Sequence, residues 1–223
     1  MVAAWPGSAA AQLWIGSGAP RAGSVEITGG IVPLAGFDMG SRSAEQTRNV
    51  TTGAPGASER FALFAARSRL ASAPGAQLGI GVYLSPSISI DTGVQYGRLS
   101  LSSMVSGDAE QASDLTADES ITRYVFVGSL VLHLPRLSFA AGRGVPFVSG
   151  GGGYLRELHE RNEFVETGRE YHATAGVKLW FGTGRRRFGV RADVGASLRN
   201  GGIDFQSGRR TVPTGGVAVS YLF

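Results

Sequence analysis

The chain has 223 residues, 43% of them hydrophobic and only 17% charged, with 34 glycines and a net charge of +4. Zero cysteine excludes disulfides, thiolate metal sites and dithiol redox chemistry, and no apolar run reaches the roughly 20 residues of a membrane-spanning helix. The positive charge comes from 20 arginines and one lysine spread along the chain, with a single tight run at Arg185, Arg186 and Arg187; a nucleic-acid partner, which wants a concentrated basic face, is not expected.

The opening MVAAWPGSAAAQLW ends in small residues before Gln12, which suits an export-signal cleavage site although a basic start and full apolar stretch are missing. Residues 1–22 therefore read as a residual signal peptide or flexible N-terminus, and 23–223 as one domain. From Gly23 onward eight short segments alternate apolar and polar residues between Gly, Ser, Pro and Asn clusters, a strand-and-turn pattern.

The first segment sets Val25, Ile27 and Ile31 against Glu26, Thr28 and Gly30. The second and third, joined by the tight turn at Ser85, Pro86 and Ser87, set Leu78, Ile80, Val82, Ile88, Ile90 and Val94 against Gln77, Tyr83, Ser89 and Asp91. The fourth sets Tyr124, Phe126, Leu130 and Leu132 against Arg123, Ser129 and His133; the fifth, PFVSGGGGYLRELH, is too rich in glycine for its facing to be assigned. In the sixth Lys178 lies opposite Val177 and Leu179, and in the seventh an unbroken apolar face from Phe188 to Leu198 backs Arg191, Asp193 and Arg199. The eighth, GGVAVSYLF, puts Val217, Val219, Tyr221 and Phe223 on one face. The segment Arg60 to Leu70 fits a short helix or an extended hairpin equally.

Connections alternate in length. Long ones fall near Met39 to Gly75, Met104 to Ser120, Arg161 to Arg169 and Asn200 to Arg210, and short ones at the SPS turn, at Arg136 to Gly144 and at GTGRR. Four loops at one rim, three turns at the other and aromatic residues near both rims are the layout of an outer-membrane barrel. The expected fold is all-β, an eight-stranded antiparallel up-and-down transmembrane β-barrel with both termini periplasmic.

On the terminal VAVSYLF, the preceding FGVRADVGASLR and the central PFVSGGGGYLRELHE, the chain resembles the OmpA/OmpX-like outer-membrane β-barrel families of Gram-negative bacteria. The resemblance implies that Val217, Val219, Tyr221 and Phe223 form the signal read by the barrel-assembly machinery and face outer-membrane lipid. An eight-stranded barrel encloses just enough room for side chains. Glu26, Asp91, Arg123, Lys178, Arg191 and Asp193 are thus expected to form a paired polar network inside it.

Weaker patterns point elsewhere. Asp108, Glu110, Asp114, Asp118 and Glu119 crowd one loop and offer oxygen ligands, but their spacing is not that of a calcium loop, so no metal is expected. His159, flanked by Glu157 and Glu160, raises a hydrolase with Ser149 or Ser197. Ten residues of strand separate Ser149 from His159 by roughly 33 Å, beyond any hydrogen bond. The Gly-rich stretches lack the ending of a phosphate loop. The expected protein is a monomeric, non-enzymatic barrel without cofactor, structural or surface-interacting through its loops, with its loop ligand unassigned. The alternatives are a narrow ion or solute channel, a soluble lipocalin-like carrier and an outer-membrane lipid hydrolase.

Overall fold

The structure is a computed structural model and describes residues 20–49, 58–108, 113–160, 164–182, 184, 186–203 and 208–223. The expected signal remnant thus lies almost wholly outside the described residues. Among the described residues ten strands follow in order: β1 (Val25–Leu34), β2 (Phe37–Asn49), β3 (Ser58–Leu70), β4 (Ala73–Ser85), β5 (Ile88–Ser106), β6 (Leu115–His133), β7 (Gly144–His159), β8 (Val165–Phe181), β9 (Arg187–Gly201) and β10 (Arg209–Leu222). Eight of them close a ring in the order β1, β4, β5, β6, β7, β8, β9, β10, every neighbour antiparallel. Closure removes sheet edges and satisfies backbone groups where lipid offers no hydrogen bonds.

The remaining two strands correct the reading of Met39 to Gly75 as a loop. β2 and β3 pair with each other and continue β1 and β4 beyond the barrel, and Ala65–Leu70 of β3 also pair with Leu101–Ser106 of β5. Arg60 to Leu70 is therefore extended. The corner lies at Ala35 and Gly36, where a Cβ on Gly36 would collide with the Leu70 carbonyl and the Gly36 N–H donates to Ser72 Oγ at 3.0 Å. Likewise β5 and β6 run deep into the expected loop between Met104 and Ser120, and β8 begins inside the one expected at Arg161 to Arg169. Where both faces of a strand end meet water, period-two hydrophobicity fades while the hydrogen-bond ladder continues.

Polarity is inverted relative to a soluble barrel. Val194 is 70% exposed on the outer wall, with Ile31, Leu78, Leu130, Val217 and Val219 also facing out, while Lys178 is 1% exposed inside. That arrangement is opposite to the apolar lumen and charged exterior of a lipocalin-like carrier. β7, unassigned from sequence, turns Phe147, Ser149, Leu155 and Glu157 inward and Val148, Tyr154 and Arg156 outward. On β8 the outward residues between Tyr171 and Phe181 are Ala173, Ala175, Val177 and Leu179. Ten residues of strand at a barrel tilt make a band roughly 25 Å tall, the height of an outer-membrane apolar belt. Phe188, Tyr221 and Phe223 cluster at the turn rim, tilted and edge-to-face, with ring centroids 4.7 and 4.6 Å apart, and Tyr96 meets Tyr124 at 5.2 Å near the loop rim.

β1 and β10 pair only from Glu26↔Leu222 to Ile31↔Val217, so a seam opens above Ile31. Phe223 donates to the Val25 carbonyl, and alternate residues of a strand point to the same neighbour. Odd-numbered residues of both strands therefore address this junction, and in the open seam two of them are Pro33 and Pro213. Neither has an N–H to leave unpaired.

Candidate functional site: the charged lumen

The inward positions stack in layers along the barrel axis. At the turn rim Tyr83, Val145, Trp180 and Leu222 form a buried cluster, and the Arg187 guanidinium lies 5.5 Å from the centre of the Trp180 ring. Of the basic run at Arg185 to Arg187, this member thus turns into the lumen; Arg185 is outside the described residues.

Immediately above, Lys178 Nζ donates to Glu26 Oε2 at 2.7 Å and the Tyr83 hydroxyl donates to the same oxygen at 2.8 Å. Arg191 then bridges two carboxylates, donating to Asp91 Oδ2 at 2.9 Å and Asp193 Oδ1 at 3.0 Å, with its guanidinium 4.6 Å from the centre of the Phe147 ring. Such doubly held charges are the form in which ions survive away from bulk water. A cavity of about 100 Å³ follows, with Thr28, Gln77, Gln95, Ser129, His172 and Thr174 in its lining.

Two further pairs lie nearer the loop rim. Arg199 Nε donates to Glu170 Oε2 at 2.7 Å. Arg123 Nε donates to Glu157 Oε1 at 2.6 Å, while its NH1 reaches the Ala35 carbonyl at 3.3 Å and the Ile203 N–H donates to Glu157 Oε2 at 2.7 Å. Arg123 thereby ties the β1–β2 corner to β7 and the last loop. Val32, Leu34, Met39, Leu70, Leu99, Leu101, Ile121 and Ile203 cover this layer with a second apolar cluster.

All six lumen residues named from sequence occupy this stack, but as three separate groups: Glu26 with Lys178, Asp91 with Arg191 and Asp193, and Arg123 with a partner the sequence did not identify. Glu157 was hidden by the unassigned facing of the glycine-rich strand, and Glu170 by its place beside an expected loop. Tyr83 was legible only as the polar face of its hairpin.

The other candidates fall apart as sites. Ser149 Oγ is hydrogen-bonded to Thr174 Oγ1 at 2.7 Å, and His159 Nδ1 lies 3.2 Å from Glu119 Oε2 with Nε2 3.7 Å from Glu166 Oε1. Removal from water raises the Glu166 carboxyl above its ordinary value. Ser197 is buried in the lumen. Ser89 Oγ does meet His133 Nε2, at 3.2 Å, but it donates to Asp91 at 2.8 Å, so the carboxylate holds the serine instead of orienting the imidazole. Among the described residues no three acidic or histidine side chains converge as metal ligands; of the acidic loop, Glu119 is engaged by His159 and Glu110 lies outside the described residues. Val217, Val219 and Phe223 of the closing strand face outward and are about half exposed, with Tyr221 packed between Phe188 and Phe223.

No protein-family model and no curated protein matches the chain. Among solved structures it is similar to the outer membrane protein OprG from Pseudomonas aeruginosa, with a TM-score of 0.51 at 12% identity over 91% of this chain and 97% of that one. The likeness is one of fold. With the apolar exterior and the closed antiparallel ring, it makes this chain an eight-stranded β-barrel of the outer-membrane type.

Proposed function

We propose that the protein is an integral outer-membrane barrel, monomeric and non-enzymatic, whose lumen is plugged and whose work is structural or surface recognition through the loop-side rim. Its termini face the periplasm, and the outward Val217, Val219, Tyr221 and Phe223 serve the barrel-assembly machinery before meeting lipid. The carrying observation is the lumen itself: four ion-paired groups are stacked between two apolar clusters, with Trp180 and Leu222 across the turn end. In a barrel of eight strands such paired side chains fill the bore, whereas a water-filled channel belongs to larger barrels. No cofactor is required for this role, and the narrower OmpA/OmpX-like kinship is part of the same proposal.

The test is conductance of the folded protein in a planar bilayer. The wild type is expected to give no unitary openings, and Trp180→Ala with Lys178→Ala is expected to open steps by removing the seal and the pair above it. Discrete wild-type openings that vanish when Asp193 is replaced by Asn would instead establish a narrow ion path through the polar cavity, the second reading that this cavity supports.

A further inference from the structure

Three short sequences, YGR at Tyr96 to Arg98, YLR at Tyr154 to Arg156 and REY at Arg169 to Tyr171, place an outward tyrosine and an arginine two residues farther toward the loop rim on the same face. The strand directions make this the same vertical order each time, although REY reads backward. Two residues of strand rise roughly 7 Å, so each guanidinium sits one step above the aromatic girdle.

The three arginines are not equivalent. Arg98 is held by Glu160 at 2.5 Å. Arg156 and Arg169 are exposed and diagonal to each other across the β7–β8 ladder, since Tyr154 pairs with Arg169 and Arg156 with Thr167. Arg209 joins them from β10, because both it and Arg169 pair with Asn200 of β9. Diagonal neighbours stand roughly 7–8 Å apart and adjacent strands about 4.8 Å apart, so three guanidiniums share one patch of outer wall. Among the described residues none of their register partners or diagonals on this face, Tyr124, Thr122, Thr167, Asn200, Leu198 and Tyr154 among them, is a carboxylate. Below lie Tyr171, Ala173, Ala175 and Val194, all turned to lipid.

We propose that Arg156, Arg169 and Arg209, with Tyr154 and Tyr171, form a binding site for the phosphate of an outer-leaflet glycolipid, lipid A in chemical class, whose acyl chains lie on the apolar band beneath. Three guanidiniums with no carboxylate partner among the described residues match a doubly charged phosphate by charge and by their paired donors. Tyrosine and the apolar wall under them favour a phosphate carried on lipid over a free anion. The inference rests on the membrane-barrel reading above and on the loop rim facing outward.

The experiment is native mass spectrometry of the detergent-folded protein with lipid A, each sample first checked for a mobility shift on boiling. Wild type is expected to retain lipid A, R156Q/R169Q/R209Q to retain about tenfold less, and R98Q to stay within about twofold of wild type. The single R169Q, expected about threefold down, carries the test if the triple variant does not fold. Equal retention by folded R169Q and wild type overturns the site, and so does displacement of lipid A by millimolar inorganic phosphate, which would make it a site for the free anion. A wild type with no boiling shift overturns the membrane reading itself, whereas a shifting barrel that ignores these arginines overturns only this site.

Discussion

Glu26–Lys178 in the lumen and Asp38–Arg67 on the projecting β2–β3 hairpin are ion pairs of nearly the same length, 2.7 and 2.6 Å. The Lys178 and Glu26 side chains are 1% and 2% exposed, those of Arg67 and Asp38 68% and 44%. Geometry is shared; surroundings are not. The lumen pair is also held by Tyr83 and sealed beneath by Trp180 and Leu222, so removing one partner strands a charge without water. The hairpin pair can exchange each hydrogen bond for water, and exposed pairs of this kind are worth little. Barrel wall and hairpin therefore obey different rules, although their backbone ladder is continuous.

The largest effect expected from that contrast is at Lys178. Lys178→Met leaves Glu26 buried and unpaired and should cost about 3–5 kcal/mol, read as a lower urea midpoint for loss of the heat-shifted form in vesicles. Adding Glu26→Gln should restore most of the loss. If the single and double variants unfold together, the pair is not what holds this layer.

A smaller effect separates the two outer surfaces. Val194→Arg puts a charge on the apolar wall and should cost about 2–4 kcal/mol if that position lies at mid-bilayer. Leu115→Arg at the start of β6, exposed and opposite Val105 of β5, should stay within about 0.5 kcal/mol. Equal costs at the two positions would place both on one side of the membrane boundary and move the apolar band derived from β8.

The same boundary explains what the sequence disclosed. Along β9 the alternation of Phe188, Val190, Ala192 and Val194 with Arg191 and Asp193 is sharp because one side meets lipid and the other a packed lumen. Above Tyr96 and Tyr124, stretches such as SSMVS and TADES carry no sustained alternation, so nothing in hydropathy marked them as strand, and of the hairpin between Met39 and Gly75 only Arg60 to Leu70 was readable, as a helix or an extended hairpin alike. Partner choice was less visible still. Arg123 could be placed inside by alternation, but Glu157 is set by cross-strand register, Arg123↔Glu157 on neighbouring strands, which a single chain does not spell out. The seam above Ile31 did leave a trace, since Pro33 and Pro213 each withhold an N–H from the junction that opens there.

The smallest effect belongs to the hairpin pair. The Arg67 hydrogen bond, joined by the Gly40 N–H at 2.9 Å, holds the Asp38 carboxyl below its ordinary value. A carboxyl lowered in the folded hairpin binds its proton later than in the opened one, so protonation favours opening. The contribution is therefore complete above about pH 4, the ordinary aspartate range, and is lost as pH falls through the lower, folded value. Carboxyl chemical shifts should give Asp38 a midpoint below that range, and Arg67→Ala should move it up toward the ordinary value. The Gly40 amide should lose hydrogen-exchange protection in the same acid window, while amides of the barrel wall at Val190 and Val219 keep theirs. An Asp38 midpoint indifferent to Arg67 would show that the pair is not populated in solution. The hairpin would then be held by its ladder to β5, through Ala65–Leu70 and Leu101–Ser106, and by Met39 and Leu70 in the apolar cluster.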